Sequence, residues 1–290
     1  MFNKYGWIKS EKISKYQHQF MALPIPTIID LTKNASVVIN QLQVGRCTGC
    51  GIAGALSSTL TAIGLNPSKS FYFSPDDIYN GERVIEGTLT EDVGGQPADG
   101  YEWIEKYGIL PYSVMPITPT LNETNPLVYE SQTIQLTGFQ GVQIPTSGDI
   151  VASVLDALAA GYYVTQGAAF FSAWESIGGS GILPLQQSYD AVAGGHETYY
   201  VGANQTTQLF ELTNSWGTSY GKGGRYFMPF AQLPILAGMD GSIDLHYPVF
   251  TGISPVPTPP QPVKKKCHLF ALLGQMRYNQ NRIKGGLCYV

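Results

Sequence analysis

The sequence predicts an α+β protein with a mainly helical front half and a mainly β back half, on three observations. Helix signals cluster between residues 47 and 108, where capping residues precede periodic apolar positions. β-branched and aromatic runs separated by glycine-rich turns dominate from residue 162 onward. Apolar residues make up 43% of 290, enough chain and hydrophobicity for a sizeable core. Two such halves pack as two lobes, and a cleft between them is where ligand sites commonly lie.

In chain order, Pro24 and Pro26 discourage helix, while Ile28–Ile29 and Val37–Ile39 read as short buried strands. Residues 47–60 form a small-residue run. Gly49, Gly51 and Gly54 each cost about 1 kcal/mol of helix propensity, so a helix here must be held by burial with neighbouring backbone close by; this is a central helix. Ser74-Pro75-Asp76-Asp77 is an N-cap followed by proline and first-turn acids. Gln96 to Tyr107 is a further helix stopped at Gly108. Residues 147–161 form an amphipathic one with apolar positions 150, 151, 154, 155 and 158. Strands are expected at 162–166, 197–201, 209–213 and 225–228. The divisions expected are a short N-terminal segment (1–24), a helical lobe (25–135), a β lobe (136–250), a proline-rich linker (251–262) and a tail (263–290).

Charge is sparse, 13% of residues against roughly 25% in average domains. It is also segregated. Residues 263–290 carry Lys264, Lys265, Lys266, Arg277, Arg282 and Lys284 and no acid, while the first 262 residues hold 11 basic against 21 acidic side chains. That balance argues against broad nucleic-acid binding by the body. The tail, beyond a semi-rigid proline spacer, is a candidate contact for an acidic or assembly partner. No stretch approaches the ~20 apolar residues of a membrane span, and the first 20 residues lack the apolar core of a secretory signal. Four cysteines are too few for a disulfide scaffold. Cys267 and Cys288 would close the tail into a loop only in an oxidising setting.

Chemistry concentrates at Gln41-Leu-Gln-Val-Gly-Arg-Cys47. A helix N-terminus offers unpaired amides and the positive dipole end, which stabilise a thiolate, so Cys47 is placed as a nucleophile. His196 of Gly194-Gly195-His196 is the candidate base. Asn214, in Thr213-Asn-Ser-Trp-Gly217, can accept the imidazole N–H, with Trp216 shielding that bond from water. Cys47-Thr-Gly-Cys50 is also a Cys-x-x-Cys. A redox reading wants a compact βαβ context and a zinc reading a second ligand pair, and neither is evident. A Cys47–Cys50 disulfide that silences the nucleophile is the remaining alternative.

Four blocks in order resemble papain-like cysteine peptidases of the bacterial branch: Ile25-Pro26-Thr-Ile-Ile-Asp30-Leu31, Gln41 to Cys47, Gly194-Gly195-His196, and Asn214 to Gly221. The resemblance covers residues 24–250, and the Cys-to-His distance of 149 residues falls in the papain range. It implies a two-lobed fold with a central Cys-bearing helix and an antiparallel β-barrel-like lobe. It also implies a polypeptide substrate, peptide-bond hydrolysis without metal or organic cofactor, and a Cys47–His196–Asn214 triad that forms a thiolate–imidazolium pair. Gln41 and the Cys47 amide would donate to the oxyanion, and Gly94–Gly95 would hold substrate backbone. Trp216 would line the site.

Three positions depart from the family. Thr48 replaces the tryptophan of plant enzymes, and Leu42 replaces a glycine after the oxyanion glutamine. Glu197 replaces a small apolar residue near the substrate pocket, where it would select a basic side chain or misplace the base. A segment of 24 residues before Ile25 is short for the family's inhibitory pro-domain, so autoinhibition by a large propeptide is not expected. The competing expectation is a papain-like scaffold serving as a structural or docking component of a larger assembly, such as a viral particle, with weak or no proteolysis.

Overall fold

A computed structural model of the chain describes residues 4–21, 24–66, 73–239 and 243–254. The proline-rich linker from Pro255, the basic tail, Cys267 and Cys288 lie outside the described residues. The elements are β1 (Tyr16–Gln17), β2 (Ile28–Asp30), α1 (Cys47–Ala62), α2 (Pro75–Glu86), α3 (Pro97–Tyr107), β3 (Leu136–Thr137), β4 (Gln140–Gln143) and α4 (Ile150–Ala159). They continue as β5 (Thr165–Phe171), β6 (Val192–Asn204), β7 (Leu209–Thr213), β8 (Arg225–Pro229), α5 (Gln232–Ala237), β9 (Asp244–Val249) and β10 (Gly252–Ile253).

Helix α1 is buried along almost its whole length, as its small residues require. A Cβ at Gly54 would overlap the ring of Tyr199 on β6, so bulk there would push helix from sheet. Helix α2 begins as its sequence predicts: the Ser74 hydroxyl accepts from the Asp77 amide at 3.0 Å, and Pro75 occupies the first turn. Ile52, Leu56 and Leu60 of α1 pack with Ile78, Tyr101 and Ile104 of α2 and α3 in one core. A second core joins Val154 and Leu158 of α4 and Leu233 and Leu236 of α5 to Phe170, Tyr200, Phe210, Leu212 and Met228 of the sheet.

The main sheet runs β1-β4-β9-β5-β6-β7-β8, with β2 also pairing β6; β3 and β10 form a separate pair. All pairings but β1–β4 are antiparallel. The sheet is open, with β1 and β8 at opposite edges, and no closed barrel exists among the described residues. Val37–Ile39 is not a strand, and only Asn40 bridges, to Trp216. β5 starts three residues later than expected and reaches Phe171, while β6 extends to 13 residues, so His196 lies inside a strand rather than at its start. No helix among the described residues is long and apolar enough to cross a membrane.

Candidate active site

Cys47 is the first residue of α1, and its side chain is fully buried. Backbone amides of Glu197, on β6 directly after His196, and of Gly6 face its sulfur. The helix start thus abuts the strand that carries the histidine. His196 Nε2 lies 2.8 Å from Asn214 Oδ1, and the Ser215 amide donates to the same oxygen at 2.7 Å. An oxygen held by a backbone N–H can only accept from the ring, so Nε2 carries the proton and Nδ1 keeps the lone pair. His196 Nδ1 is buried and has no hydrogen-bond partner among the described residues. The Trp216 ring lies 4.8 Å from the imidazole, tilted by 35°, beside the His196–Asn214 bond. Phe170 closes another side at 5.1 Å.

Gln41 is fully buried. Its amide pairs with the Ser215 carbonyl at 2.8 Å, its Oε1 accepts from the Ser215 hydroxyl, and its Nε2 donates to Val44 O at 3.0 Å and Lys4 O at 3.2 Å. Leu42 has left-handed backbone, at φ +59°, a conformation that favours glycine. The Thr48 hydroxyl donates to Glu82 Oε2 at 2.6 Å, a buried polar bond beside Cys47. Cys47 and Cys50 are both free and buried, with no disulfide between them.

The largest departure from expectation is the N-terminal segment. Short as it is, residues 4–10 lie across the candidate site. The Gly95 amide donates to Gly6 O at 2.8 Å, the Ile8 amide donates to Gly95 O at 3.0 Å, and the Gly6 and Trp7 amides both reach Gly195 O at 3.1 Å. Gly94 has φ +93°, and a side chain there would overlap the Gly6 carbonyl. The Lys4 ammonium stands 4.6 Å from the Trp216 ring centroid, and Tyr5 packs edge-on to His196 and Trp216. Gly94, Gly95, Gln41 and Trp216 therefore hold the chain's own residues.

This coverage sets the electrostatics. Burial, and then the Glu197 carboxyl, push the Cys47 thiol up to about 12, while burial pushes His196 down to about 4 against the Asn214 hydrogen bond. The thiolate–imidazolium pair expected from sequence is not the favoured state here; a neutral thiol and neutral imidazole are, because solvent is excluded from both. Glu197 is fully buried, packed against Gly51 of α1 instead of lying open to solvent.

Sequence reasoning missed Gly6, Trp7, Glu82 and Asp244. Tyr5-Gly6-Trp7, a glycine between two aromatics in a charged stretch, was the available signal for the first two. An acid opening the apolar strand from Asp244 was the signal for the last.

No family model matches the chain. It is 28% identical over 219 residues to an uncharacterized peptidase C1-like protein of Acanthamoeba polyphaga mimivirus, covering 71% of this chain and 70% of that protein. Among solved structures it is similar to xylellain, a cysteine protease from Xylella fastidiosa, with a TM-score of 0.73 and 22% identity over 87% of this chain and 97% of that one. It is also similar to digestive procathepsin L 3 of Tenebrio molitor larval midgut, with a TM-score of 0.64 and 19% identity over 84% and 76% of the two chains. The fold is papain-like.

Proposed function

We propose that the chain is a papain-like cysteine endopeptidase, held here with its cleft occupied by its own residues 4–10. The observation that carries the reading is the 2.8 Å His196–Asn214 bond, which leaves Nδ1 as proton acceptor on the strand whose next amide faces Cys47. With the cleft open, His196 Nδ1 takes the Cys47 proton, and the sulfur attacks the scissile carbonyl carbon. The same nitrogen returns the proton to the leaving amine, and water then hydrolyses the thioester. Asn214 fixes the ring orientation and Trp216 shields that bond. Gln41 Nε2, now spent on the Lys4 carbonyl, and the Cys47 amide donate to the oxyanion, a contribution typically of about 3 kcal/mol per donor. Gly94 and Gly95 hold substrate backbone as they now hold Gly6.

The competing reading, a scaffold without proteolysis, draws on the complete burial of Cys47. A thiol-directed peptidase probe on a full-length Gly6→Val chain separates the two. The peptidase reading expects labelling that Cys47→Ser abolishes and His196→Ala slows at least 100-fold, with peptide cleavage following the same order. No labelling and no cleavage from a folded, segment-released chain would establish the scaffold.

A further inference from the structure

Two cysteines share the first turn of α1, and the peptidase chemistry uses only one of them. Cys47 is its first residue, and the Cys50 amide closes that turn by donating to Arg46 O at 3.0 Å. Both thiols are free and buried. Residues three apart on a helix lie on one face, with Cβ atoms about 5–6 Å apart. Their Cα atoms are about 5 Å apart, inside the range a disulfide spans. A bridge needs the Cβ atoms closer by about 1–2 Å. The turn can supply that shift. The amide of a first helical residue makes no hydrogen bond within the helix. Gly49, inside the ring a bridge would close, has the backbone freedom to follow.

The two sulfurs differ in access. The Gly6 and Glu197 amides lie against the Cys47 sulfur, so one of its covers belongs to the N-terminal segment and leaves with it. Cys50 instead lines a cavity of about 10 Å³ with Ile39, Gly51, Glu197, Asn214 and Ser215. That space holds one water at most, so no larger oxidant reaches Cys50 directly. Burial pushes the Cys50 thiol well up, with the Arg46 guanidinium acting against this, and the Cys47 sulfur is near enough to act on it. A buried neutral thiol is inert by itself. Beside a sulfur that is oxidised first, it becomes a resolving thiol.

We infer that Cys47 and Cys50 form a reversible oxidation site, in which a hydroperoxide oxidises Cys47 once residues 4–10 have left and Cys50 captures the product as a disulfide. His196 Nδ1 takes the Cys47 proton, and the thiolate attacks one peroxide oxygen. The O–O bond breaks, Cys47 becomes a sulfenic acid, and the departing alkoxide or hydroxide takes up that proton. The Cys50 sulfur then attacks the Cys47 sulfur. The S–O bond breaks, hydroxide leaves with the Cys50 proton as water, and the S–S bond forms. Two electrons pass from the thiol pair to the peroxide, and an external dithiol returns them. The bridge silences the nucleophile and spares it from sulfinic acid, which thiols do not reverse. This chemistry goes beyond the peptidase reading, since it needs no peptide to be cut.

Full-length Gly6→Val and Gly6→Val/Cys50→Ala, treated with excess hydrogen peroxide and then digested with trypsin, test it by mass. Trypsin cleaves after Arg46, so one peptide beginning at Cys47 holds both residues and neither tail cysteine. With Cys50 present, that peptide is expected to lose two hydrogens, and dithiothreitol to restore most of the Cys47 labelling by iodoacetamide. With Cys50→Ala it is expected to gain two or three oxygens, and the restored labelling to fall at least fivefold. Circular dichroism checks that both chains are folded, and Cys50→Ser replaces the alanine variant if that one is not. A peptide left unmodified, one that gains oxygen while Cys50 stays free, or equal recovery with and without Cys50 overturns the inference. Because mass and not cleavage is read, a chain that cuts no peptide still decides it.

Discussion

The backbone of Gly6 lies on the backbone of Gly95. The Gly95 amide donates to Gly6 O at 2.8 Å, and a Cβ on Gly6 would overlap the Gly45 carbonyl oxygen, two residues before Cys47. No residue but glycine brings the segment this close, so its grip on the cleft depends on an absent side chain. The Gly6→Val chain should release residues 4–10 and raise the rate of Cys47 alkylation at least tenfold without unfolding the body. Timed labelling with iodoacetamide, with circular dichroism as the fold control, measures this. An unchanged rate in a folded chain would mean that something other than the segment buries the thiol.

Leu42 occupies left-handed backbone at φ +59°, which costs an L-residue about 1–2 kcal/mol, partly offset by the greater chain entropy of glycine in the unfolded state. Its side chain is 39% exposed, so little packing is lost on removal. Leu42→Gly is expected to stabilise the protein by about 0.5–1 kcal/mol, read as a higher urea midpoint at unchanged m-value. A lower midpoint would assign Leu42 a packing role that outweighs its backbone strain.

Arg46, immediately before Cys47, pairs with Asp76 at 2.7 Å, both side chains 1% exposed, and also donates to the carbonyls of Thr118 and Thr120. The pair ties the start of α1 to the first turn of α2. Arg46→Ala leaves the buried Asp76 carboxylate without its cation and the Thr118 and Thr120 carbonyls without the guanidinium, and should cost about 3–5 kcal/mol, whereas Arg46→Met with Asp76→Leu should cost far less. Equilibrium denaturation of the single and double variants tests this. Equal losses would mean that the pair contributes more than mutual neutralisation.

Asp77 is driven up to about 7 by burial, against hydrogen bonds donated by Trp103 Nε1 and the Leu110 amide. Its folded pKa exceeds the unfolded value of about 3.9. The unfolded chain therefore gives up this proton first, and the group's stabilisation, full below pH ~4, is lost as pH rises toward and through 7. Relative to Asp77→Asn, the parent should lose on the order of a few kcal/mol between pH 4 and 7.5. Urea melts of both chains across that range read the difference. A flat difference would place the Asp77 carboxyl near its ordinary value.

Much of the site could be read directly along the chain because its signals are local. A small-residue run announces a buried helix, Cys47 heads it, and Asn214 ends a strand and meets His196. What the chain order does not report is tertiary. Val37–Ile39 has strand composition but no neighbour to pair with except at Asn40, and composition cannot report a missing partner. Whether an antiparallel lobe closes depends on whether its edge strands β1 and β8 meet, and they do not. The burial of Glu197 against Gly51 comes from the packing of α1 on β6, which its place after His196 does not report.

By itself the sequence determined a helical front half and a β back half through periodicity and caps, and the resemblance carried by its four ordered blocks implied the papain-like fold and its chemistry. Only the tertiary structure decided the state of that chemistry. Residues 4–10 reach Cys47, Gly95 and Gly195 through backbone amides and bare glycines and Asp244 through the Trp7 indole and the Ser10 amide, and the order of side chains does not say where such a segment docks. Burial in the folded chain pushes the Cys47 thiol up and the His196 imidazole down, away from the anticipated ion pair.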